Sequence, residues 1–433
     1  MSFESEQVCL ADVCSDVSYG YTEGATAQPI GPKFLRITDI QGGSFDWSTV
    51  PFCPATEDNV RKYQLQVGDI VVARTGNSTG ENAQVVQEPP AAVFASYLIR
   101  FRPNSGRVNP FFVGYQLRSE RFKQHVLAVR GGSAQPGANA KQLGAFTFHL
   151  IPRNLQDEAV ESLRTLDDRI ALLRETNATL EAIAQALFKS WFVDFDPVHA
   201  KARGEQPEAL PEPLAALFPD SFEESPLGLV PRGWRVGVFA DICARIESGG
   251  TPKRTVPEYW NGNVSWLTSG EVRNPIVFET RETISDLGMK ESSAKLWPQG
   301  TTVVAMYGAT AGEVCLVAKP MTANQACCGL IPNPHTRAFM YVCARRERES
   351  LASKSSGSAQ QNLNKGLVES HPTVLPPDDL LRAYEDIAGV MLDGWIANAQ
   401  QAHTLSTLRD TLLPRLISGQ LRLPEAEAEA LAA

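Results

Sequence analysis

The chain has 433 residues, 43% of them hydrophobic and 21% charged, with a formal net charge of −9. That length can hold two or more domains, each with its own core, and the composition is that of an ordinary globular protein rather than a disordered or fibrous one. No run of about 18 apolar residues exists to cross a membrane, and the opening "MSFESEQVCLADVC" lacks the basic and apolar regions of an export signal, so the chain is expected in the cytoplasm.

The eight cysteines include no C-x-x-C pair, and the six histidines are scattered along the chain. Zinc sites bring their ligands in tight pairs. No metal site is expected, and the cysteines read as buried reduced thiols.

In chain order, residues 1–153 form a first domain. "LADVC" (10–14) is followed by "PKFLRITDI" (32–40), an extended strand ending in a polar turn. In "VGDIVVARTGNSTGENAQVV" (67–86) a β-branched run leads to Gly-x-x-x-Gly and then a second apolar strand, which is hairpin chemistry. The glycine spacing lacks the Lys-Ser/Thr of a phosphate loop. "NPFF" (109–112) resembles the Asn-Pro-Pro-aromatic signature of adenine methyltransferases. It lacks the second proline, and no glycine-rich cofactor loop follows an upstream strand, so it reads as a turn opening a helix. "GGSAQPGANAKQLGAFTFHLIP" (131–152) closes the domain with a polar loop, a strand and a proline.

A long helix follows over 154–196. Leu163, Leu166, Ile170, Leu173, Leu180, Ala184 and Leu187 stand three and four apart, a heptad seam with Asn177 at one core position. A buried Asn fixes register and partner number; a solvated Asn at a helix bend is the alternative. A helix of about 38 residues is roughly 57 Å long, more than one globular core uses, so it should pack on a second long helix. It ends in Trp191-Phe192-Val193-Asp194-Phe195-Asp196. With no third ligand nearby, Asp194 and Asp196 read as a wet capping turn beside apolar Trp191, Phe192 and Phe195. The linker, 197–230, holds Pro197, Pro207, Pro211, Pro213, Pro219 and Pro226, a density that favours an extended, stiff path.

Residues 231–377 then repeat the first domain at a spacing of roughly 225–232 residues. "LADVC" answers to "FADIC" (239–243), "PKFLRITDI" to "VSWLTSGEV" (264–272), and the first hairpin to "QGTTVVAMYGATAGEVCLVA" (299–318). The polar loop and final strand answer to "SGSAQQNLNKGLVESHPTVLPP" (356–377). Four matches in the same order are not chance. A second helix over 378–423 repeats the first less cleanly: "LDDRI" (166–170) matches "LDGWI" (392–396), and Leu405, Leu408, Leu412 and Leu416 continue the seam. Residues 424–433 are an acidic, alanine-rich tail. The expected fold is α+β: two pseudo-repeated α/β domains separated by two long antiparallel helices in a coiled coil, with pseudo-twofold symmetry.

The acidity is not spread evenly. Residues 1–153 carry 14 Lys/Arg against 13 Asp/Glu, and 231–370 carry 16 against 12. The first helix with the linker, 154–230, carries 6 against 15, and 371–433 carries 4 against 9. Neutral to mildly basic domains suit contact with a polyanion, and acidic helices suit contact with another protein.

On these residues the chain resembles the specificity subunit of type I restriction-modification systems, over about residues 5 to 423. "LFKSWFVDFDPVHAKARGEQPE", "LFPDSFEESPLGLVPRGW" and the terminal "LRDTLLPRLISGQL" (408–421) carry the resemblance most specifically, with the two Gly-Ser-Ala-Gln loops beside them. The resemblance implies two target-recognition domains, each reading half of a bipartite double-stranded DNA target. The helices would fix the spacer and dock two modification (methyltransferase) subunits, and restriction/translocase subunits would join that core in defence against foreign DNA. The subunit would have no catalytic centre and no cofactor of its own, S-adenosylmethionine and ATP being expected on partner subunits.

Candidate DNA-contacting residues are polar and cationic groups on strand-end loops: Arg36, Thr38, Arg74, Thr75 and Asn77, then Lys253, Arg254, Thr268, Ser269, Tyr307 and Thr310. Gly76, Gly80, Gly308 and Gly312 would allow the tight turns. Ser133 with Gln135 and Ser358 with Gln360 read as junction residues. Leu163, Leu166, Ile170, Leu173, Asn177, Leu180, Leu187, Leu405, Leu408, Leu412 and Leu416 are expected in the helix pair and its partner docking. Two other readings stand beside this one: a coiled-coil scaffold binding only proteins, and an adenine-specific DNA methyltransferase.

Overall fold

The computed structural model describes residues 6–131, 136–354 and 363–421. The chain divides into two compact units, Met1–Ile170 with Thr404–Ala433, and Ala171–His403.

In the first unit β1 (Glu6–Cys9), β2 (Cys14–Tyr19), β3 (Lys33–Leu35), α1 (Glu57–Tyr63), β4 (Ile70–Ala73) and β5 (Asn82–Gln84) follow in order. Then come β6 (Ala92–Phe94), β7 (Leu98–Pro103), α2 (Pro110–Arg118), α3 (Glu120–Val129), α4 (Ala140–Gly144) and β8 (Thr147–Leu150). The strands pair as β2-β7-β4-β5, with β1 beside β8 and β3 parallel to β6. Strand β4, Ile-Val-Val-Ala, is buried on both faces, which is why its sequence does not alternate. Ile70 and Val72 point into one apolar cluster, Val71 and Ala73 into another. The "NPFF" run opens α2 as expected: the Asn109 side chain accepts from the Phe111 and Phe112 N–H groups, and Pro110 takes the first turn.

Helix α5 spans Arg153–Phe192. In the first unit its Val160 and Leu163 are buried with Leu412, Leu413, Leu416 and Ile417 of the C-terminal helix; Leu166 and Leu408 lie half-buried against the same cluster. Ile170 is buried and Leu405 half-buried.

The second unit takes up the rest of α5 from Ala171, followed by α6 (Asp196–Ala202), α7 (Glu212–Ala215), β9 (Phe222–Ser225), β10 (Gly228–Pro231), β11 (Arg235–Val238) and β12 (Cys243–Ser248). Next are β13 (Trp260–Leu267), β14 (Ile276–Val277), β15 (Glu282–Ile284), α8 (Asp286–Lys290), β16 (Thr302–Ala305), β17 (Val314–Val317), β18 (Thr322–Ala323) and β19 (Cys327–Pro332). The unit's last elements are α9 (Arg337–Arg346), α10 (Arg348–Ser353), α11 (Lys365–Glu369), β20 (Pro372–Leu375), α12 (Asp378–Tyr384), a π turn (Glu385–Gly389) and the start of α13 (Val390–Ile417). The order β12-β19-β16-β17 repeats β2-β7-β4-β5, and β14 extends it. The parallel pair β13–β18 repeats β3–β6, and β11–β20 repeats β1–β8. The repeated sequence therefore builds the same set of sheets twice.

Within this unit α5 and the α12–α13 segment run antiparallel. Asn177 Nδ2 donates to Trp395 O at 3.1 Å, and seven residues further along α5 Tyr384 Oη donates to Ala184 O at 3.1 Å. Leu173 is buried, and Leu180 and Leu187 pack half-buried on the main core. Asn177 is buried, not solvated. The π turn places Glu385 at the start of α9, where it accepts from the Ala338 N–H at 2.7 Å and from Arg337 Nε at 3.2 Å, meeting a donor that a helix N-terminus leaves open.

The aromatic-acidic knot is a helix end as expected: Trp191 and Phe192 are buried, Asp194 pairs with Lys189, and Asp196 is exposed. The proline-rich stretch, however, is not an extended path. It folds as α6, α7 and the β9–β10 hairpin, because Val198, Phe218 and Val230 between the prolines are buried. Phe218 meets Trp191 edge-on at 5.3 Å, and Trp234 lies 5.6 Å from Phe195. The prolines stop helices; the apolar residues between them fold the segment back. Cys53, Cys243, Cys315, Cys327, Cys328 and Cys343 are buried thiols, while Cys9 and Cys14 are half-buried. No helix among the described residues is long and apolar enough to cross a membrane.

Candidate nucleic-acid interface

Each unit presents two turns built to the same plan. The first follows the parallel strand pair. In the first unit the Arg36 N–H donates to Asp39 Oδ2 at 2.8 Å; in the second the Thr268 N–H donates to Glu271 Oε2 at 2.9 Å. Asp39 caps the entry of a short 3₁₀ turn, Ile37–Asp39, whereas Glu271 is the first residue of one, Glu271–Arg273. The second is the glycine turn. Ala73 N–H donates to Glu81 O at 2.8 Å and Gly80 N–H to Ala73 O at 2.9 Å; Ala305 N–H to Glu313 O and Gly312 N–H to Ala305 O, both 2.9 Å, repeat this. Gly76, Gly80, Gly308 and Gly312 all have positive φ, between 65° and 93°, which glycine adopts without steric cost.

The candidate side chains sit unevenly on this scaffold. Arg36 is half-buried and gives Nε and Nη2 to the Asp39 carboxylate at 3.0 and 2.7 Å, which pushes its pKa up. Thr38 is exposed on the same turn. Arg74 is half-buried, donates Nε to Ser96 O at 2.9 Å, and faces the rings of Tyr19 and Tyr97 at 5.1 and 6.0 Å. Thr75 bridges to Gly137, and Asn77 is exposed at the tip. Arg74, Thr75 and Asn77 are thus brought together, apart in sequence and in turn from Arg36 and Thr38.

In the second unit Thr268 gives both N–H and Oγ1 to Glu271, and Ser269 is half-buried beside it. Arg273 Nη2 reaches Ala309 O at 3.5 Å, so this turn and the glycine turn holding exposed Tyr307 meet. Thr310 is buried and donates its hydroxyl to Tyr307 O at 3.1 Å, which makes it part of the turn's interior and corrects its placement on the surface. Lys253 is exposed. Arg254 lies over Trp260 at 3.8 Å and Trp266 at 4.9 Å, and gives Nη1 and Nη2 to Glu282, the second at 2.9 Å. That hydrogen-bonded pairing raises the Arg254 pKa and lowers that of Glu282.

The sequence reading missed this role for Trp260, Trp266 and Glu282. The signal was present, since an Arg followed by two Trp six residues apart is unusual, but nothing in spacing joins Glu282 to them. Ser133, Gln135, Ser358 and Gln360 lie outside the described residues. What the arrangement offers chemically is two sets of exposed donors on strand-end turns, with cations held by ring faces and carboxylates.

A family model described as the type I restriction modification DNA specificity domain matches residues 6–182 and again 231–380. The chain is 26% identical to the type I restriction enzyme HindI specificity subunit of Haemophilus influenzae, over 96% of this chain and 99% of that one. It is 23% identical to the type I restriction enzyme MjaIX specificity subunit of Methanocaldococcus jannaschii, over 75% of this chain and 71% of the other. Among solved structures, the type I restriction-modification S subunit from M. genitalium shares the fold at a TM-score of 0.61 and 14% identity, covering 95% of this chain and 96% of that one.

Proposed function

Because the chain belongs to the type I restriction modification DNA specificity family, we propose that it is the DNA specificity subunit of a type I restriction-modification complex. One observation carries this: the family model matches twice, and each match covers a complete set of the repeated sheets and turns. The chain supplies sequence specificity and no catalysis. Residues 1–153 and 231–377 are the two recognition domains, 154–196 and 378–423 the spacer helices, and 197–230 the connection. Each domain reads one half of a bipartite target in double-stranded DNA, and the paired helices set the gap between the halves. Tethering raises the effective concentration of the second reader once the first has bound.

The partners are two methyltransferase subunits docked on the helices, with restriction/translocase subunits joining that core in the cytoplasm. S-adenosylmethionine and ATP act on those partners. Phosphate contacts from cations such as Lys253 supply affinity, and base-edge contacts from the exposed turns at Thr38, Asn77, Arg254 and Tyr307 supply discrimination.

The test is to map modified adenines in a host with and without this chain, in the presence of its methyltransferase subunits. A bipartite motif with a fixed gap that disappears with the chain is the expected result. An unchanged modification pattern would leave the coiled-coil scaffold as the better reading.

A further inference from the structure

The two units share their scaffold turns, so what reads different half-sites must lie where the units differ. The Arg254 clamp is such a place. In the repeat, no described residue of the first unit forms an arginine held between two tryptophans and a carboxylate. The Arg254 side chain is 53% exposed, yet it is held on three sides: the face of Trp260, the ring of Trp266 behind it, and Glu282 at its end. An exposed arginine ordinarily samples many rotamers and loses that freedom on binding; this one has little left to lose.

Glu282 takes Nη1 and Nη2 and leaves the side edge, Nε–H with the outer Nη2–H, without a hydrogen bond among the described residues. Two parallel donors on one rigid edge match the O6 and N7 acceptors that guanine shows in the major groove. The neighbouring Lys253 is exposed and in no ion pair among the described residues, which suits it to the adjoining phosphate.

We propose that Arg254 is a specificity-determining residue that reads one guanine in the half-site addressed by the second recognition domain, with Trp260 and Glu282 as its positioning residues. This rests on the DNA-reading function proposed above.

The experiment uses the complete methyltransferase complex carrying Arg254→Ala, Arg254→Lys or Glu282→Gln, with every modified sequence mapped on a randomised duplex library. Arg254→Ala and Arg254→Lys should each relax a single G·C position in one half-site, lowering discrimination there by about 5- to 150-fold, the range a bidentate arginine–guanine contact supplies. The other half-site should stay intact, which also shows that the variant folds and assembles. Glu282→Gln should weaken the same position. Arg254→Lys keeps the charge but loses the fork, so it decides the matter should the alanine variant not assemble. An unrelaxed motif in Arg254→Lys, at wild-type or uniformly reduced rate, would overturn the inference. Wild-type chain that does not alter which sequences are modified would instead overturn the DNA-reading function itself.

Discussion

Arg118 Nη1 lies 2.6 Å from Asp167 Oδ2, joining a recognition-domain helix to α5 within the first unit. Asp167 also accepts from Tyr115 Oη at 2.9 Å and from Arg409 Nη1 at 2.8 Å. In the second unit Asp393, the residue that the Leu-Asp repeat sets against Asp167, accepts from Arg337 Nη1 at 2.6 Å. In both units, then, an arginine of the sheet domain grips the same aspartate of the helix.

For Asp167 burial alone would raise the pKa, but Arg118 and Arg409 outweigh it and hold the carboxyl below its usual range. Asp167→Ala takes the acceptor from Arg118 Nη1, Arg409 Nη1 and the Tyr115 hydroxyl, while Arg409 keeps Asp410 through Nε and Nη2. The expected cost is about 1–3 kcal/mol, at the level of a charged hydrogen-bond network and discounted for partial exposure. A depressed folded pKa gives stability that is present above the unfolded value near 3.9 and lost as pH falls through the folded one. Hydrogen exchange of the first unit from pH 6 to 3 should show that loss in the wild type and a flatter profile in Asp167→Ala. Matching profiles would show that the latch contributes nothing.

The glycine turns separate two effects that sequence alone merges. Gly308 and Gly312 both have positive φ, but an added Cβ at Gly308 meets open space, whereas at Gly312 it would stand 2.7 Å from Arg348 O. Gly308→Ala should cost about 1 kcal/mol, the backbone penalty alone. Gly312→Ala should cost clearly more, about 2–4 kcal/mol, because backbone must also move. Urea titrations of the two variants give the comparison. Equal losses would mean the Arg348 carbonyl yields freely.

Much of the fold was legible because it is written twice. The repeat marked both hairpins, both final strands and the helical seam, and Leu163, Leu173, Leu412 and Leu416 are buried where the spacing put them. Leu405 is less buried than the seam suggests. The proline-rich segment misled, since proline density forecasts where helices stop but not whether Phe218 and Val230 find a core. The candidate interface was the least legible part. Its chemistry depends on partners far apart in sequence, such as Glu282 for Arg254 and Arg409 for Asp167, and no periodicity joins them. Thr310 shows the converse: a polar residue in a turn spent its hydroxyl on the turn itself.

Asn177 bears on the helix pair directly. Its Nδ2 is bonded to Trp395 O, but its buried Oδ1 has no hydrogen-bond partner among the described residues. A half-satisfied buried amide costs stability and is kept where it fixes register. Asn177→Leu should therefore raise the melting temperature of the chain, by the few degrees that about 1 kcal/mol produces, while broadening the set of spacer lengths accepted by the assembled complex. A lower melting temperature would show that the Trp395 bond outweighs the orphaned oxygen.

The two units also differ in one buried pair. Phe122 meets Phe146 edge-on at 5.1 Å in the first, and the matching positions in the second are Glu347 and His371. His371 is buried, with Nε2 3.3 Å from Glu347 Oε2, Nδ1 2.8 Å from Lys354 Nζ, and its ring 4.7 Å from Phe239. The bond to His371 holds the Glu347 carboxyl below its ordinary pKa. Such a carboxylate contributes stability above the unfolded value near 4.3, and that contribution is lost as pH falls through the folded value. The second unit should thus soften in mild acid through a group the first unit lacks. Protection of the β20 amides against exchange, taken relative to the intrinsic rate at each pH, should fall below about pH 4.3 in the wild type. In Glu347→Gln the acid step should shrink and exchange at neutral pH should be faster throughout, since a neutral amide makes the weaker bond. An acid step of the same size in Glu347→Gln would place the sensitivity in another group.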